Sequence, residues 1–200
     1  MDEMREHFQK ESELKREKEA GEWEQVLSRS DEELKASKPD DGATFRPWRG
    51  QVAGRRLSVA EPLGLRWRDG PDPTDTTQRK SILDSISWCH PGPHVVLLLM
   101  PAFLTCTQKY RRAAEEHMKL LGEDIWQRTV VLFTWGEMLG ESAEQLILRN
   151  GELMGLVERC GGRHHVLSSK KSNAMIEGLF DKMEDVTSIF SPQDGDLVSV

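Results

Sequence analysis

The chain has 200 residues, of which 37% are hydrophobic and 30% charged, and its formal net charge is -7. This length suits one compact domain with an additional segment. The negative charge argues against a nucleic-acid-binding or acidic-membrane-binding surface, which needs a basic field. No C-x-x-C pair occurs among the three cysteines, which are Cys89, Cys106 and Cys160. The N-terminus has no apolar stretch of the kind found in signal peptides. The longest apolar run is too short to span a bilayer. We therefore expect a cytoplasmic location with free thiols and no transmembrane segment.

The charge is concentrated at the N-terminus. Residues 1–42 are rich in Glu and Lys, and pairs such as Glu6 and Lys10 stand four residues apart in the orientation that supports a helix. This pattern predicts a charged helical segment over residues 1–38, ended by the Pro- and Gly-containing stretch that follows. The chain then divides into a domain over residues 43–190 and a polar tail over residues 191–200.

The domain begins with a predicted strand at Val52–Ala60 and a loop that starts at Glu61. Arg79–Cys89 has apolar residues at helical spacing, and His94–Met100 is a continuous apolar run typical of a strand buried on both faces. The remaining predicted elements are a helix at Thr107–Leu121 closed by Gly122, a strand at Thr129–Thr134, one or two helices over Ser142–Cys160 with Gly151 as a weak point, a strand at Arg163–Leu167 and a helix over Ser172–Ile189.

Strands and helices alternate at spacings that require crossover connections. The fold class is therefore α/β, with a mainly parallel sheet and helices on both faces. In such sheets, ligands bind at the carboxyl ends of the strands. The candidate site residues are those that follow the strands: Glu61 and Gly64, then Thr134, Trp135, Gly136 and Glu137, then Ser168 and Ser169.

The order of these residue types is that of a guanine-nucleotide site. An acid-x-x-Gly motif reaches Mg²⁺ through water with its carboxylate and the γ-phosphate with its glycine N–H. A second carboxylate, here Glu137, accepts hydrogen bonds from guanine N1–H and the exocyclic amine, which adenine cannot match. The third loop supplies backbone N–H groups to the guanine carbonyl.

Plainer interpretations exist for several of these residues. Glu137 also fits a solvated loop acid, and Trp135 fits a cover for the core edge as well as a flank for a base. The Cys and His residues at 89–94 and 160–165 have no recognised zinc spacing. Arg111 with Glu115 fits an exposed helix face better than an arginine finger. No spacing indicates a nucleophile with its base, so we predict no catalytic residue and no metal site.

Several motifs resemble the immunity-associated GTPases, the GIMAP family. The resemblance covers residues 44–190 and is closest to fish-type members that have Trp after the Thr. The motifs that carry it are Val52-Ala53-Gly54-Arg55, Pro91-Gly92-Pro93-His94, Glu115-Glu116-His117, Leu132-Phe133-Thr134-Trp135-Gly136 and Cys160-Gly161-x-Arg163.

The resemblance implies a Ras-like, P-loop NTPase-type G domain that binds GTP or GDP with Mg²⁺. It also implies homo- or hetero-oligomers formed through G domains, and a role in lymphocyte survival or membrane-associated processes. The candidate site residues named above would then form the guanine pocket and the switch-like acid-x-x-Gly motif.

This sequence departs from the family pattern at three places. No G-x-x-x-x-G-K-[ST] motif precedes Glu61, so the phosphate-binding loop is missing. Glu61 and Glu137 stand where the family has Asp, and Ser168-Ser169 stands where Asn is common. We therefore expect an N-terminally truncated domain without its first strand, P-loop and first helix. Nucleotide binding is expected to be weak and hydrolysis weak or absent, the alternative being a nucleotide-free pseudo-GTPase that acts as an interaction module.

The missing strand also has a structural consequence. The first strand is central in this fold, so its loss is expected to leave an apolar flank of the sheet uncovered. Marginal stability or dependence on a partner follows, unless residues 1–38 fold back over the flank.

Overall fold

The computed structural model describes residues 42–65, 76–168 and 172–190, and the backbone of two short strands at Lys35–Ala36 and Val198–Ser199. The strands are β1 (Lys35–Ala36), β2 (Phe45–Val52), β3 (Arg55–Pro62), β4 (Val96–Pro101), β5 (Thr129–Thr134), β6 (His164–Val166) and β7 (Val198–Ser199). The α-helices are α1 (Thr76–Trp88), α2 (Gln108–Lys119), α3 (Ala143–Arg149), α4 (Gly151–Arg159) and α5 (Asn173–Phe190), and 3₁₀ turns lie at Glu123–Arg128 and Gly136–Met138.

A three-stranded parallel sheet forms the centre of the domain. Its order is β4-β5-β6, with Val96 opposite Thr129 and Val131 opposite His164. Residues 129–133 of the middle strand are all buried. This explains why the sequence shows an unbroken apolar run here, since both faces of the strand are covered.

Helices cover both faces of this sheet. Val131 and Phe133 point into a core with α2, α3 and α4, whereas Val130 and Leu132 point into a second core with α5. The alternation follows from the two-residue period of a strand. The predicted α/β architecture with a parallel sheet and helices on both faces is therefore confirmed, and it agrees with a P-loop NTPase-like G domain.

The helix boundaries follow from their caps. Thr107 Oγ1 accepts a hydrogen bond from Tyr110 N–H at 3.2 Å, as predicted for the start of α2. One or two helices were predicted over Ser142–Cys160; the structure has two, separated at Asn150 beside the predicted weak point Gly151. Asn150 has non-helical φ and ψ of -116° and 102°, and its side chain caps α4 by accepting from the N–H groups of Glu152 and Leu153.

The predicted single strand Val52–Ala60 is wrong in its bounds. Val52 is the end of β2, and β3 begins at Arg55 directly opposite it in an antiparallel hairpin. The turn residues Ala53 and Gly54 have φ of 49° and 76°. A two-residue loop with both central φ values positive matches the right-handed twist of the two strands, so the chain reverses here.

The hairpin packs over the α5 side of the domain. Trp48, Val52, Leu57 and Val59 share a buried cluster with α5 and with β5 residues. At the hairpin turn, Arg55 Nε donates to Glu184 Oε1 at 2.5 Å. The Arg55 guanidinium also lies 5.0 Å from the centre of the Phe180 ring.

Two short strands lie on the edges of the hairpin. β1 pairs antiparallel with β2, and β7 pairs in parallel with β3 at Leu57 and Ser58. The predicted N-terminal helix lies outside the described residues except at Lys35–Ala36, which form a strand instead. The tail predicted to be polar contributes β7. The chain's own terminal segments therefore occupy part of the hairpin edges.

Helix α1 is fixed to the hairpin and to α2 by polar contacts. Ser81 Oγ donates to Thr44 C=O at 2.5 Å, and Thr44 Oγ1 donates to Asp84 at 2.6 Å. His117 of α2 is buried, with Nδ1 2.8 Å from Ala113 C=O and Nε2 3.1 Å from the side-chain amide of Gln78.

Burial makes His117 a source of acid sensitivity. Loss of solvation lowers the pKa of His117 below its ordinary value of 6.5. The unfolded chain therefore takes up a proton at higher pH than the folded one, and stability that is present above pH 6.5 is lost as the pH falls below it. As the pH falls from neutral to mildly acidic, the free energy of unfolding should decrease less steeply in His117→Gln than in the wild type. The difference between the two slopes should be at most about 1.4 kcal/mol per pH unit, which is the contribution of one proton.

Urea unfolding of both proteins across this pH range measures the effect of His117. Burial also lowers the pKa of His165, so part of the slope is expected to persist in the variant. Equal slopes in the two proteins would contradict the assignment to His117.

Candidate guanine-binding site

Three loops meet at the carboxyl edge of the parallel sheet. Ala102 N–H, just after β4, donates to Thr134 C=O at 2.8 Å. Gly136 N–H, just after β5, donates to Leu167 C=O at 2.8 Å. The structure therefore brings the predicted Thr134–Glu137 loop against the loop that contains Ser168.

Trp135 adopts a backbone conformation that is unusual for its size. Its φ and ψ are 60° and 43°, in the left-handed region. A bulky residue rarely occupies this region, because its Cβ crowds the following carbonyl. The conformation turns the chain out of β5 into the 3₁₀ turn Gly136–Met138, closed by Met138 N–H donating to Trp135 C=O at 2.8 Å. Glu137 lies on this turn and is exposed.

Gly136 is required by close contact with β6 and the residue after it. A Cβ at this position would lie 2.5 Å from Val166 Cγ1 and 3.2 Å from Leu167 O. Its φ is not in the left-handed region, so space alone selects glycine here. This contact allows the Glu137 turn and the Ser168 loop to approach each other.

Ser168 has a weak partner for its backbone N–H. The N–H lies 3.3 Å from Met175 Sδ, and Ser168 Oγ lies 3.9 Å from the same sulfur. A thioether is a poorer acceptor than a carbonyl oxygen. Ser169 of the predicted site lies outside the described residues.

The predicted acid-x-x-Gly motif lies at the end of β3, in the sheet of the hairpin and not in the parallel sheet. Glu61 is in β3, directly opposite Arg46 of β2, and Arg46 Nη1 lies 3.3 Å from Glu61 Oε2. Gly64 has φ of 74° in the turn after β3, where Leu63 N–H donates to Thr44 C=O at 2.9 Å.

Glu61 does not fit the role of a magnesium ligand. Its carboxylate is already paired with Arg46, whose positive charge would also repel a divalent cation. Burial raises the pKa of Glu61, and the charge of Arg46 opposes that rise only in part. Mg²⁺ binds ionised carboxylates that are free to orient toward it. The residues present therefore do not support a Mg²⁺ site at Glu61.

Sequence reasoning missed both Arg46 and Phe103. Arg46 faces Glu61 only because of the hairpin, which the sequence did not predict. Phe103 follows β4 and was not among the predicted site residues. Its ring centroid lies 6.3 Å from that of Trp135, with an angle of 67° between the ring planes.

The other candidate groups have structural partners. Arg111 Nε donates to Glu115 Oε1 at 3.0 Å, which confirms the predicted i,i+4 pair. The face is partly buried rather than exposed, because Arg111 Nη1 also lies 3.5 Å from Glu152 Oε2 of α4. His165 Nε2 lies 2.8 Å from Met175 C=O. Across residues 42–65, 76–168 and 172–190, no three His, Cys, Asp or Glu side chains converge on a common metal position.

The cysteines are buried free thiols. Burial raises the pKa of Cys106 to about 11 and that of Cys160 to about 12. Their thiolate forms are therefore strongly disfavoured near neutral pH, which is the opposite of what a cysteine nucleophile needs.

Every helix in the described part of the chain is too short or too polar to cross a lipid bilayer.

Comparison with models of protein families shows which family this chain is related to. The model of the AIG1 family matches residues 49–198, which is most of the chain and includes all three loops of the carboxyl edge. The AIG1 family covers the GIMAP G domains that the sequence motifs resemble, and the parallel sheet with helices on both faces agrees with that match. The chain therefore belongs to the AIG1 family of GTP-binding G domains.

Proposed function

We propose that this chain recognises the guanine base at the carboxyl edge of its parallel sheet, while it binds the whole nucleotide weakly and hydrolyses GTP little or not at all. The observation that supports the proposal most directly is the Gly136 N–H to Leu167 C=O hydrogen bond of 2.8 Å. It holds the carboxylate loop of Glu137 and the N–H donor loop of Ser168 side by side.

The two loops offer complementary hydrogen-bonding groups. The exposed carboxylate of Glu137 accepts from guanine N1–H and from the exocyclic amine. Ser168 N–H donates to the guanine O6 carbonyl in exchange for its weak contact with Met175. Adenine lacks the N1–H and the C2 amine and carries an amine in place of O6, so its edge is mismatched at each of these positions.

The affinity for the whole nucleotide is expected to be weak because the chain lacks the usual contacts to the phosphates. No G-x-x-x-x-G-K-[ST] motif occurs in the sequence, so the backbone nest and the lysine that hold the phosphates have no counterpart. The switch-like carboxylate of Glu61 is committed to Arg46. Recognition of the base then supplies most of the binding free energy, and the hydrolytic water and metal lack their usual ligands.

A second candidate function is a nucleotide-free pseudo-GTPase that binds other proteins. The Glu61–Arg46 ion pair favours it, because it occupies the carboxylate at the switch-like position. Leu148 on α3 and Ile189 on α5 are large apolar side chains with exposed fractions of 73% and 68%. Guanine-selective binding distinguishes the two candidates, because the second predicts none.

The change Glu137→Gln tests the proposal by reversing the hydrogen-bonding pattern. A carboxylate accepts from the guanine C2 amine, whereas an amide nitrogen donates to the C2 carbonyl of xanthine. We expect the wild type to prefer guanosine diphosphate over xanthosine diphosphate. The variant should show the opposite preference, with a change of roughly tenfold or more in the affinity ratio. Competition against a fluorescent guanine nucleotide measures both affinities.

The control is Glu158→Gln, which makes the same chemical change at an exposed position on α4. It should leave the preference unchanged. A wild type that binds neither nucleotide at millimolar concentration would support the second candidate, and an unchanged preference in Glu137→Gln would remove Glu137 from the site.

A further inference from the structure

The strand β4 lies at an edge of the parallel sheet. It pairs with β5 on one side, and in the described part of the chain no strand pairs with its other side. Ala102 N–H donates to Thr134 C=O on β5. Because backbone groups alternate along a strand, those of Leu97 and Leu99 point away from β5. An edge of this kind is a template for a further strand.

The carboxyl end of this edge is already covered. Leu99 C=O accepts a hydrogen bond from the Tyr110 hydroxyl at 3.2 Å, and Pro101 has no N–H to donate. The part of β4 that can take a strand is therefore its amino half, around Leu97. On the face that packs with α5, Leu97 and Leu99 are only partly buried, whereas their register partners on β5 are completely buried. The apolar surface of the sheet is thus incompletely covered beside β4.

The hairpin strand β3 shares a core with β4 but does not pair with it. Leu57 and Val59 of β3 lie in the same buried cluster as Val95, which directly precedes β4. Helix α1 connects β3 to β4, as helices connect parallel strands of one sheet. Among the residues that the structure describes, no hydrogen-bonded ladder joins the two strands. This arrangement fits one further strand between them, parallel to both.

The segment of residues 197–200 has the properties of such a strand. Its backbone at Val198–Ser199 is β7, which pairs in parallel with β3 at Leu57 and Ser58, on the edge opposite β2. Helix α5 connects β6 to β7, so a crossover of the usual kind also makes β7 run parallel to the sheet. The segment is mostly apolar and β-branched, and residues 191–196 before it are polar, Gly or Pro. This is the composition of a strand buried on both faces.

We propose that residues 197–200 insert between β3 and β4 and pair with both strands, so that the hairpin and the parallel sheet become one continuous sheet. In a strand with a partner on each side, successive N–H groups point alternately to the two partners. Val198 and Ser199 therefore donate to opposite neighbours, one to β3 and the other to β4. This inference is independent of the proposed function, because it concerns the amino half of β4 and not the loops of the candidate site.

Proline substitutions in β7 distinguish an inserted strand from an edge strand. Proline removes one N–H, and an edge strand tolerates this where the N–H points to solvent. We expect both Val198→Pro and Ser199→Pro to lower the midpoint of urea unfolding of the full chain, because each removes a hydrogen bond to one neighbour. The control Gln193→Pro, in the same tail but outside β7, should leave the midpoint unchanged. A loss of stability in only one of the two β7 variants would show an edge strand and overturn the insertion.

Amide hydrogen exchange of β4 measures the second pairing directly. Leu98 N–H points toward β5 and serves as an internal reference for Leu97 N–H, which points away from it. In the wild type, we expect Leu97 to exchange within roughly tenfold of the rate of Leu98. In the proline variants of β7, Leu97 should exchange roughly a hundredfold faster while Leu98 changes little. Rapid exchange of Leu97 in a wild type that protects Leu98 would show that no strand covers β4, and would overturn the proposal.

Dilution tests whether the strand comes from the same chain. Insertion within one chain predicts that the protection of Leu97 is independent of protein concentration and that the protein elutes as a monomer in size-exclusion chromatography. Loss of this protection on dilution, together with a change from dimer to monomer, would assign the strand to a second copy and contradict insertion within one chain.

Discussion

Gly136→Ala is expected to lower the free energy of unfolding by about 1–3 kcal/mol, a typical cost of forcing atoms into a filled space. The added Cβ would lie 2.5 Å from Val166 Cγ1 and 3.2 Å from Leu167 O. Leu167 C=O is also the acceptor for Gly136 N–H, at 2.8 Å. Relief of the clash therefore requires the Glu137 turn to move away from β6, and guanine binding should weaken in the same variant.

Urea unfolding of Gly136→Ala beside Gly140→Ala measures this effect. Gly140 lies in the same connection between β5 and α3, and a Cβ there would meet no atom within 4 Å. Alanine at position 140 should change stability little or raise it slightly, since it restricts the unfolded chain. Equal stability of the two variants would show that the close approach to β6 is not a constraint.

Phe133→Ala is expected to have the largest effect on stability, a loss of about 3–5 kcal/mol. Phe133 is completely buried in the core between the parallel sheet and helices α2, α3 and α4. Its backbone C=O accepts a hydrogen bond from Leu167 N–H at 2.8 Å, which joins β5 to the chain just beyond β6. Phe133 also directly precedes Thr134 of the candidate site.

Phe133→Leu serves as the control for Phe133→Ala. Leucine keeps most of the apolar volume, so its cost should be clearly smaller than that of alanine. Denaturant unfolding at neutral pH gives both values. A loss below about 1 kcal/mol for Phe133→Ala would contradict the tight packing of this core.

The parallel sheet was predictable because its signal is local. Thr129–Thr134 has the same bounds in the sequence prediction and in the structure. A strand buried on both faces must be apolar at every position, so its bounds are visible in the sequence. The cap of α2 at Thr107 was predictable for a similar reason, since the capping hydrogen bond spans only three residues.

The hairpin was not predictable to the same degree. β2 contains Pro47 and Gly50 together with charged and polar residues, so its alternation is weak. The turn at Ala53 and Gly54 lacks the Asn-Gly or Asp-Gly pair that usually marks such hairpins. Because the hairpin was missed, the Arg46–Glu61 ion pair was missed too.

The candidate site was predictable in its place but not in its detail. Parallel strands end at a common edge, so the sequence alone placed Thr134–Glu137 near Ser168. The contacts that shape the edge depend on distances between residues far apart in the chain. The clash that excludes a side chain at Gly136 and the ring pair of Phe103 and Trp135 are both of this kind.

The most direct test of guanine recognition is a titration of the ¹⁵N-labelled chain with GDP, in which NMR records the backbone amide resonances at each step. Binding at the carboxyl edge predicts saturable shifts for the amides of Gly136, Glu137 and Ser168, with ADP producing much smaller shifts at the same positions. The hairpin amides near Glu61 should move little, because Arg46 already pairs with that carboxylate. Equal shifts with ADP and GDP, or shifts confined to other surfaces, would contradict guanine recognition at this edge.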